Sequence, residues 1–314
     1  MLSWHSVFWL NVPIGVVAVA LSMTRLDESY GSVTRIDMPA AVLVSGGAVG
    51  IVLGLVRAAD AGWRSVDTVT SLGLGILLMA GFVAWELRAV DPMLPMRLFR
   101  NWTFSAANTT AFFMSGSQFA AAFLTAQYFQ LGQGYSPMDT GLRVLPWTAT
   151  PLLVAPLAGA LSDRVGRRPL MVGGMILQAL GLLLFDAITT VDAAYWQSIL
   201  PLVVSGIGAS MVLPVTPTAI LSAVAPIDMG RASAASNTLQ RFGTAFGVAV
   251  ATAVFIANGS LANPATFADG FRPALLAVAV LSVIGAIAAV GVRKPRVTET
   301  LATAEPASAM ALAA

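Results

Sequence analysis

Nine stretches with no more than one charge each, all long enough to cross a bilayer, leave this chain few ways to fold. A spanning helix needs about 20 mostly apolar residues, and such runs fall near 4–23, 38–57, 68–87, 103–129, 141–162, 169–189, 197–220, 237–257 and 272–292. Inside lipid every backbone N–H and C=O must be satisfied within the protein, so runs of this length are helices. The expected fold class is an all-α membrane protein with about nine transmembrane helices. Composition agrees: of 314 residues, 57% are hydrophobic and only 10% charged, against about 25% charged in soluble domains.

The charges fall unevenly. Alternating the loops between two sides puts Arg25, Arg35, Arg88, Arg97, Arg100, Arg164, Arg167, Arg168, Arg231, Arg241, Arg293, Lys294 and Arg296 on one side, and Arg57, Arg64, Arg143 and Arg272 on the other. The richer side is expected to be cytoplasmic, with the N-terminus outside and the C-terminus inside. Residues 1–23 lack a basic n-region and a small-residue cleavage site, so they read as a retained helix. A net charge of +2 is too small to point to nucleic acid. Without cysteine there is no disulfide, thiolate metal site or cysteine nucleophile, and His5 alone is too little for a histidine metal centre. No metal or cofactor is expected. Lys294 is the sole lysine beside abundant Ala, Gly and Arg, which reads as a GC-rich bacterial genome and no more; the expected location is a bacterial plasma membrane.

Between the fifth and sixth runs lies a tight basic loop, Gly159-Ala-Leu-Ser-Asp163-Arg164-Val-Gly166-Arg167-Arg168-Pro169. A preference for positive charge inside explains the arginines, but not the spaced Gly159, Asp163 and Gly166. Pro169 suits the first turn of a helix. Asp163 is placed to face that helix's positive dipole end and the arginines. Gly159 would let another helix approach, and Gly166 can take a turn conformation closed to other residues. Arg164, Arg167 and Arg168 would anchor the loop at an anionic leaflet.

The fourth run carries Asn108, Ser115, Gln118 and Thr125 on one helical face, with Phe112 and Phe119 beside them. Two readings stand: the stripe lines a polar cavity, or it makes inter-helix hydrogen bonds worth about 0.6 kcal/mol each. In the fifth run Pro146, Pro151 and Pro156 predict a bent or broken helix, which suits a gate. Arg143, near its outer end, either snorkels to the headgroups or draws an anionic group to a cavity mouth; a contact with Asp186 is open. Trp147 joins Phe112 and Phe119 as candidate lining for an apolar, cationic cargo. Gly46, Gly50 and Gly54 form a small-residue stripe for close helix packing. Gly206, Gly208, Pro214 and Pro217 mark a second flexible segment. From about 298 the chain has too few large apolar residues to fold.

The basic loop resembles the signature loop of the major facilitator superfamily of transporters, which in that family latches two six-helix halves on the cytoplasmic side. Ser3-Trp4-His5-Ser6-Val7-Phe8-Trp9-Leu10-Asn11-Val12-Pro13-Ile14-Gly15 is similar to the sixth helix of the fourteen-spanner drug:proton antiporters of the EmrB/QacA type, with His5 where an arginine is usual. Gln127-Tyr128-Phe129-Gln130-Leu-Gly132, Gly141-Leu142-Arg143-Val-Leu145-Pro146 and the stretch from Asp228 to Gly247 are similar to the same branch. The resemblance implies a partial major facilitator fold: 1–24 ends the N-terminal half, 25–100 holds two linker helices, 101–297 is a six-helix C-terminal half and 298–314 is a disordered tail. Five N-terminal helices are then missing.

The implied function is proton-coupled export of hydrophobic or cationic small molecules, the halves rocking around a midplane site. Its partners would be that substrate, protons and membrane lipid. Proton coupling needs a titratable group inside the membrane. Glu86 and Asp186 sit near span ends, so the coupling residues are expected in the missing half and the chain alone should not pump. The alternative is a non-transporting half-facilitator that needs a partner half. A membrane enzyme lacks residues to work with: there is no H-E-x-x-H, no cysteine and no paired carboxylates in a span.

Overall fold

The structure is a computed structural model that describes residues 6–25, 37–89, 92–188, 193–260 and 264–293. Ser3, Trp4, His5, Arg35, Lys294, Arg296 and the expected tail 298–314 lie outside the described residues. The chain divides into two units, Met1–Ile36 and Asp37–Ala314. In the first, α1 (Ser6–Arg25) carries Pro13 in its interior.

Among its described residues the second unit has helices joined by turns and loops, and no strand. Its helices are α2 (Met38–Ala61), α3 (Val66–Glu86), α4 (Trp102–Gln127), α5 (Pro137–Thr148), α6 (Thr150–Val165), α7 (Arg167–Ile188), α8 (Tyr195–Val212), α9 (Val215–Leu221), α10 (Met229–Asn258) and α11 (Pro264–Ala289). Seven segments among the described residues are long and apolar enough to span: Met38–Ala58, Val66–Glu86, Pro137–Val165, Arg167–Ile188, Tyr195–Leu221, Pro226–Asn258 and Thr266–Ala289. Of the other two expected spans, α1 has a shorter apolar part, Asn11–Thr24. The other, α4, has 26 residues but is diluted by polar side chains.

α2 and α3 form a hairpin. Asp37 caps α2 by accepting from the Ala40 N–H at 3.0 Å, and also accepts from Trp85 Nε1 at 2.9 Å, which ties the two helices at the open end. Gly62, at φ 84°, turns the chain toward Ser65, the N-cap of α3. The expected glycine stripe lies at the hairpin's crossing: a Cβ on Gly50 would stand 2.7 Å from Gly75 Cα.

Prolines break two spans as expected. The fifth span parts at Ala149 into α5 and α6, and the seventh at Leu213 and Pro214 into α8 and α9. Gly206 and Gly208 differ from expectation: both lie in unbroken helix and serve close approach, Gly208 against Gly174 and Gln178 on α7, Gly206 against Trp147 and Thr150. Two helices begin earlier than their hydropathy indicates, α10 at Met229 and α11 at Pro264.

The core has two parts. Around Phe104, Met171, Met175, Val212, Ile220 and Ala232 it is mainly aliphatic. The other part is aromatic, with Tyr128 stacked on Phe271 at 5.2 Å and Phe271 on Phe267 at 5.6 Å between ring centroids. The outer surface stays apolar: Leu152, Leu153 and Leu157 on α6 are each at least 70% exposed. That surface suits a hydrocarbon solvent rather than water.

Candidate functional site

The basic turn is built by its cap. Gly166, at φ 89° and ψ 162°, ends α6 and donates its N–H to Ser162 O at 3.0 Å. This backbone region is nearly closed to residues with a Cβ. α7 then starts at Arg167, with Pro169 in its first turn. Arg167 Nη1 donates to Ser222 Oγ, at the end of α9, tying the turn to the α9–α10 connection. Two expectations are not met. Around Gly159 a Cβ would meet nothing within 4 Å, so no helix among the described residues approaches there. Asp163, Arg164 and Arg168 are exposed, and Asp163 pairs with no arginine among the described residues.

The polar stripe of α4 is split by its surroundings. Asn108, Ser115 and Thr125 are buried, Gln118 is half-buried and Phe119 is 50% exposed. Asn108 Nδ2 donates within its own helix to Phe104 O at 2.9 Å, while its Oδ1 is buried without a partner. The hydrogen bonds from α4 to other helices come from elsewhere on it. Thr110 Oγ1 donates to Gly285 O at 3.3 Å, and Ser117 Oγ accepts from Gln178 Nε2 at 3.1 Å. Gln178 is fully buried in α7, with its Oε1 unpartnered. Sequence reasoning passed over it, although a single amide amid the apolar residues of 170–185 was a readable signal. Thr125 and Trp147 share a void of about 10 Å³ with Ser205, room for about one water.

At the other end of the fifth span, Arg143 is held rather than free. Its guanidinium lies 3.6 Å from the Tyr135 ring centre and 5.4 Å from that of Tyr195. Its Nη1 donates to Asp139 O at 3.3 Å and stands 3.8 Å from the Asp139 carboxylate. The Tyr195 hydroxyl donates to Arg143 O at 3.2 Å. The open Arg143–Asp186 contact is not made, since Asp186 pairs with Arg272 at 3.3 Å.

A cavity of about 520 Å³ lies between the α2–α3 hairpin, the segment 93–99 and the α4–α10 pair. Phe82, Phe99, Phe112, Phe242 and Phe246 wall it together with methionines 79, 93 and 96, and Arg231 is the one charged residue in its lining. Of the expected lining residues only Phe112 reaches it; its ring stands 5.5 Å from that of Phe246. The neighbouring connection is fastened twice. Arg97 grips the buried Asp228 through two contacts of 2.9 Å, and Asn101 Nδ2 donates to Ala223 O at 2.7 Å. Glu86, 3% exposed, accepts from the Leu94 N–H at 3.1 Å. No periodicity within one helix announces this cavity, because it exists only where the hairpin docks on α10.

Residues 107–312 match the profile of the Major Facilitator Superfamily. The chain belongs to that superfamily. It is similar to the cephamycin export protein CmcT of Amycolatopsis lactamdurans, 33% identical over 286 residues, which cover 89% of this chain and 58% of that protein. With the multidrug resistance protein Stp of Mycobacterium tuberculosis it shares 30% identity over 258 residues, 81% of this chain and 47% of Stp. With the tetracenomycin C resistance and export protein of Streptomyces glaucescens it shares 31% over 252 residues, 79% and 46%. The chain spans about half the length of the curated relatives it matches. This facilitator is thus a multi-pass membrane protein of a transporter family, and the three relatives are named as antibiotic export and multidrug resistance proteins.

Proposed function

We propose that this facilitator serves in the export of hydrophobic or cationic small molecules and supplies the linker hairpin and one six-helix half of a fourteen-helix, proton-coupled antiporter. The observation that carries the reading is that export and resistance proteins match it over most of its length. In this reading α1 ends the N-terminal half, α2 and α3 are the linker, α4 to α11 form the C-terminal half, and residues 298–314 are a disordered tail. The basic turn latches the halves on the cytoplasmic side of a bacterial plasma membrane, with the N-terminus outside and the C-terminus within. Five further helices come from a preceding segment or from a separate chain, and they carry the group that takes up the proton.

The polar and aromatic side chains of α4 and α5 face the path of the cargo in this reading. Gln118 and Phe119 fit it best, since both reach the surface of the half. The breaks at Ala149 and Pro214 allow the ends of those spans to tilt as access alternates.

Resistance profiling in an efflux-deficient bacterial host tests the proposal. The chain expressed alone should leave inhibitory drug concentrations unchanged, while a gene extended by five N-terminal helices should raise them for hydrophobic cations. Resistance conferred by this chain alone would overturn the division of labour.

A further inference from the structure

We propose that the cavity between the α2–α3 hairpin and α10 is a binding site for one anionic phospholipid, with an acyl chain in the cavity and the phosphate on Arg231. The site shares only Phe112 with the side chains that the transport reading gives to the cargo; it goes beyond that reading and does not depend on it. Its volume, about 520 Å³, falls in the range of about 300–1,000 Å³ found for small-molecule sites.

Three observations point to the occupant. First, apart from Arg231, the walls are almost wholly side chains without charge, chiefly aromatic rings and methionines. Methionine adapts its shape to an irregular chain. Such a space suits hydrocarbon and repels a polar or multiply charged solute. Second, the cavity is open rather than enclosed: Val83 and Met93 of its lining belong to the exposed apolar surface, and Ala234 and Thr238 of α10 are exposed too. A lipid chain can enter there without crossing water. Third, Arg231 stands in the first turn of α10 with no hydrogen bond or ion pair among the described residues. Glu86 attracts it only from beyond ion-pair distance and spends one carboxylate oxygen on the Leu94 amide.

Arg231 also sits at the end of the bundle that holds the Arg97–Asp228 pair and, through Arg167 and Ser222, the basic turn. Basic pockets between transmembrane helices at a headgroup level are where acidic lipid heads bind. A zwitterionic head would add a second positive charge beside Arg231 and lose part of the attraction. A bound chain would join the linker hairpin to α10 across a space that protein side chains leave unfilled.

Native mass spectrometry of the detergent-purified full chain, titrated with phosphatidylglycerol or with phosphatidylcholine, tests this. One phosphatidylglycerol per chain should persist under gentle activation, and phosphatidylcholine should bind more weakly. Arg231→Gln should lower phosphatidylglycerol occupancy by roughly fivefold, the effect of about 1 kcal/mol for one basic residue at a lipid surface. Ala234→Trp, which fills the cavity from an exposed helix position, should abolish it. Arg168→Gln on the exposed basic turn should leave it unchanged, and circular dichroism should show all three variants folded. The proposal fails if Arg231→Gln binds phosphatidylglycerol as well as the parent, or if Arg168→Gln loses it equally. It fails also if free oleate occupies the site while phosphatidylglycerol does not.

Discussion

Glycines that look alike in the sequence do unlike things in this facilitator. Gly116 packs on Gly243 and Gly247 where α4 crosses α10, and a Cβ there would lie 2.7 Å from Gly243 O. Replacing it forces two backbones apart. Gly116→Ala should therefore destabilise by about 1–3 kcal/mol, more than the ~1 kcal/mol that alanine gains over glycine inside a helix. Gly159 meets open space, so Gly159→Ala should raise stability by up to about 1 kcal/mol. Thermal melting in detergent distinguishes the two, and equal shifts would contradict the packing described. The sequence made Gly166 readable because a chain reversal between two long helices demands a special conformation. It did not reveal whether Gly159 touches a neighbour, since that depends on another helix's path. Gln178 stands out in the sequence as a lone amide, but that its Nε2 donates to Ser117, 61 residues away, likewise depends on another helix's path.

At the scale of elements, existence was legible and beginnings were not. The first turns of α10 hold Ala232, Ser233, Ala234, Ala235 and Ser236, small residues that form helix and bury Ala232 and Ala235 but barely raise hydropathy. The start of α11 is masked by Asp269 and Arg272, although Phe267 and Phe271, one turn apart, are both buried. What fixes the start of α10 is electrostatic. Asp228 stands at the N-cap of α10 without a side-chain capping bond, so it acts there through its charge beside the positive helix end; it is only 2% exposed and is gripped by Arg97 from the connection before α4. Removing the arginine leaves a buried carboxylate without its counter-ion. A full loss of this kind costs about 3–5 kcal/mol, and since the Arg97 side chain is 62% exposed a smaller loss of about 1–3 kcal/mol is expected for Arg97→Ala. The double variant Arg97→Ala with Asp228→Asn should recover part of that loss. A double-mutant cycle on chemical unfolding measures the coupling, and strictly additive losses would remove the pair from the account of how α10 is held.

For the whole molecule, the expectation that rests on charge alone is orientation. Arginines crowd the loops on one side of alternate spans, and moving such a loop across the membrane opposes the bias that sets topology. Met138 and Arg168 bracket the span Pro137–Val165 and so lie at its opposite ends. Trp63, at the tip of the α2–α3 hairpin, belongs with Met138, while Ile227, beside Asp228, belongs with Arg168. All four are exposed. Because the sequence contains no cysteine, single substitutions at these positions report without background. On intact cells a membrane-impermeant thiol reagent should label Trp63→Cys and Met138→Cys and spare Arg168→Cys and Ile227→Cys. After the membrane is opened, all four should react. Labelling of Arg168→Cys from outside would invert every loop at once, because helices of fixed order leave no way to move one turn alone. It would also put the basic turn, and the Arg231 cavity at the same end of the bundle, at the leaflet opposite the one the charge bias assigns.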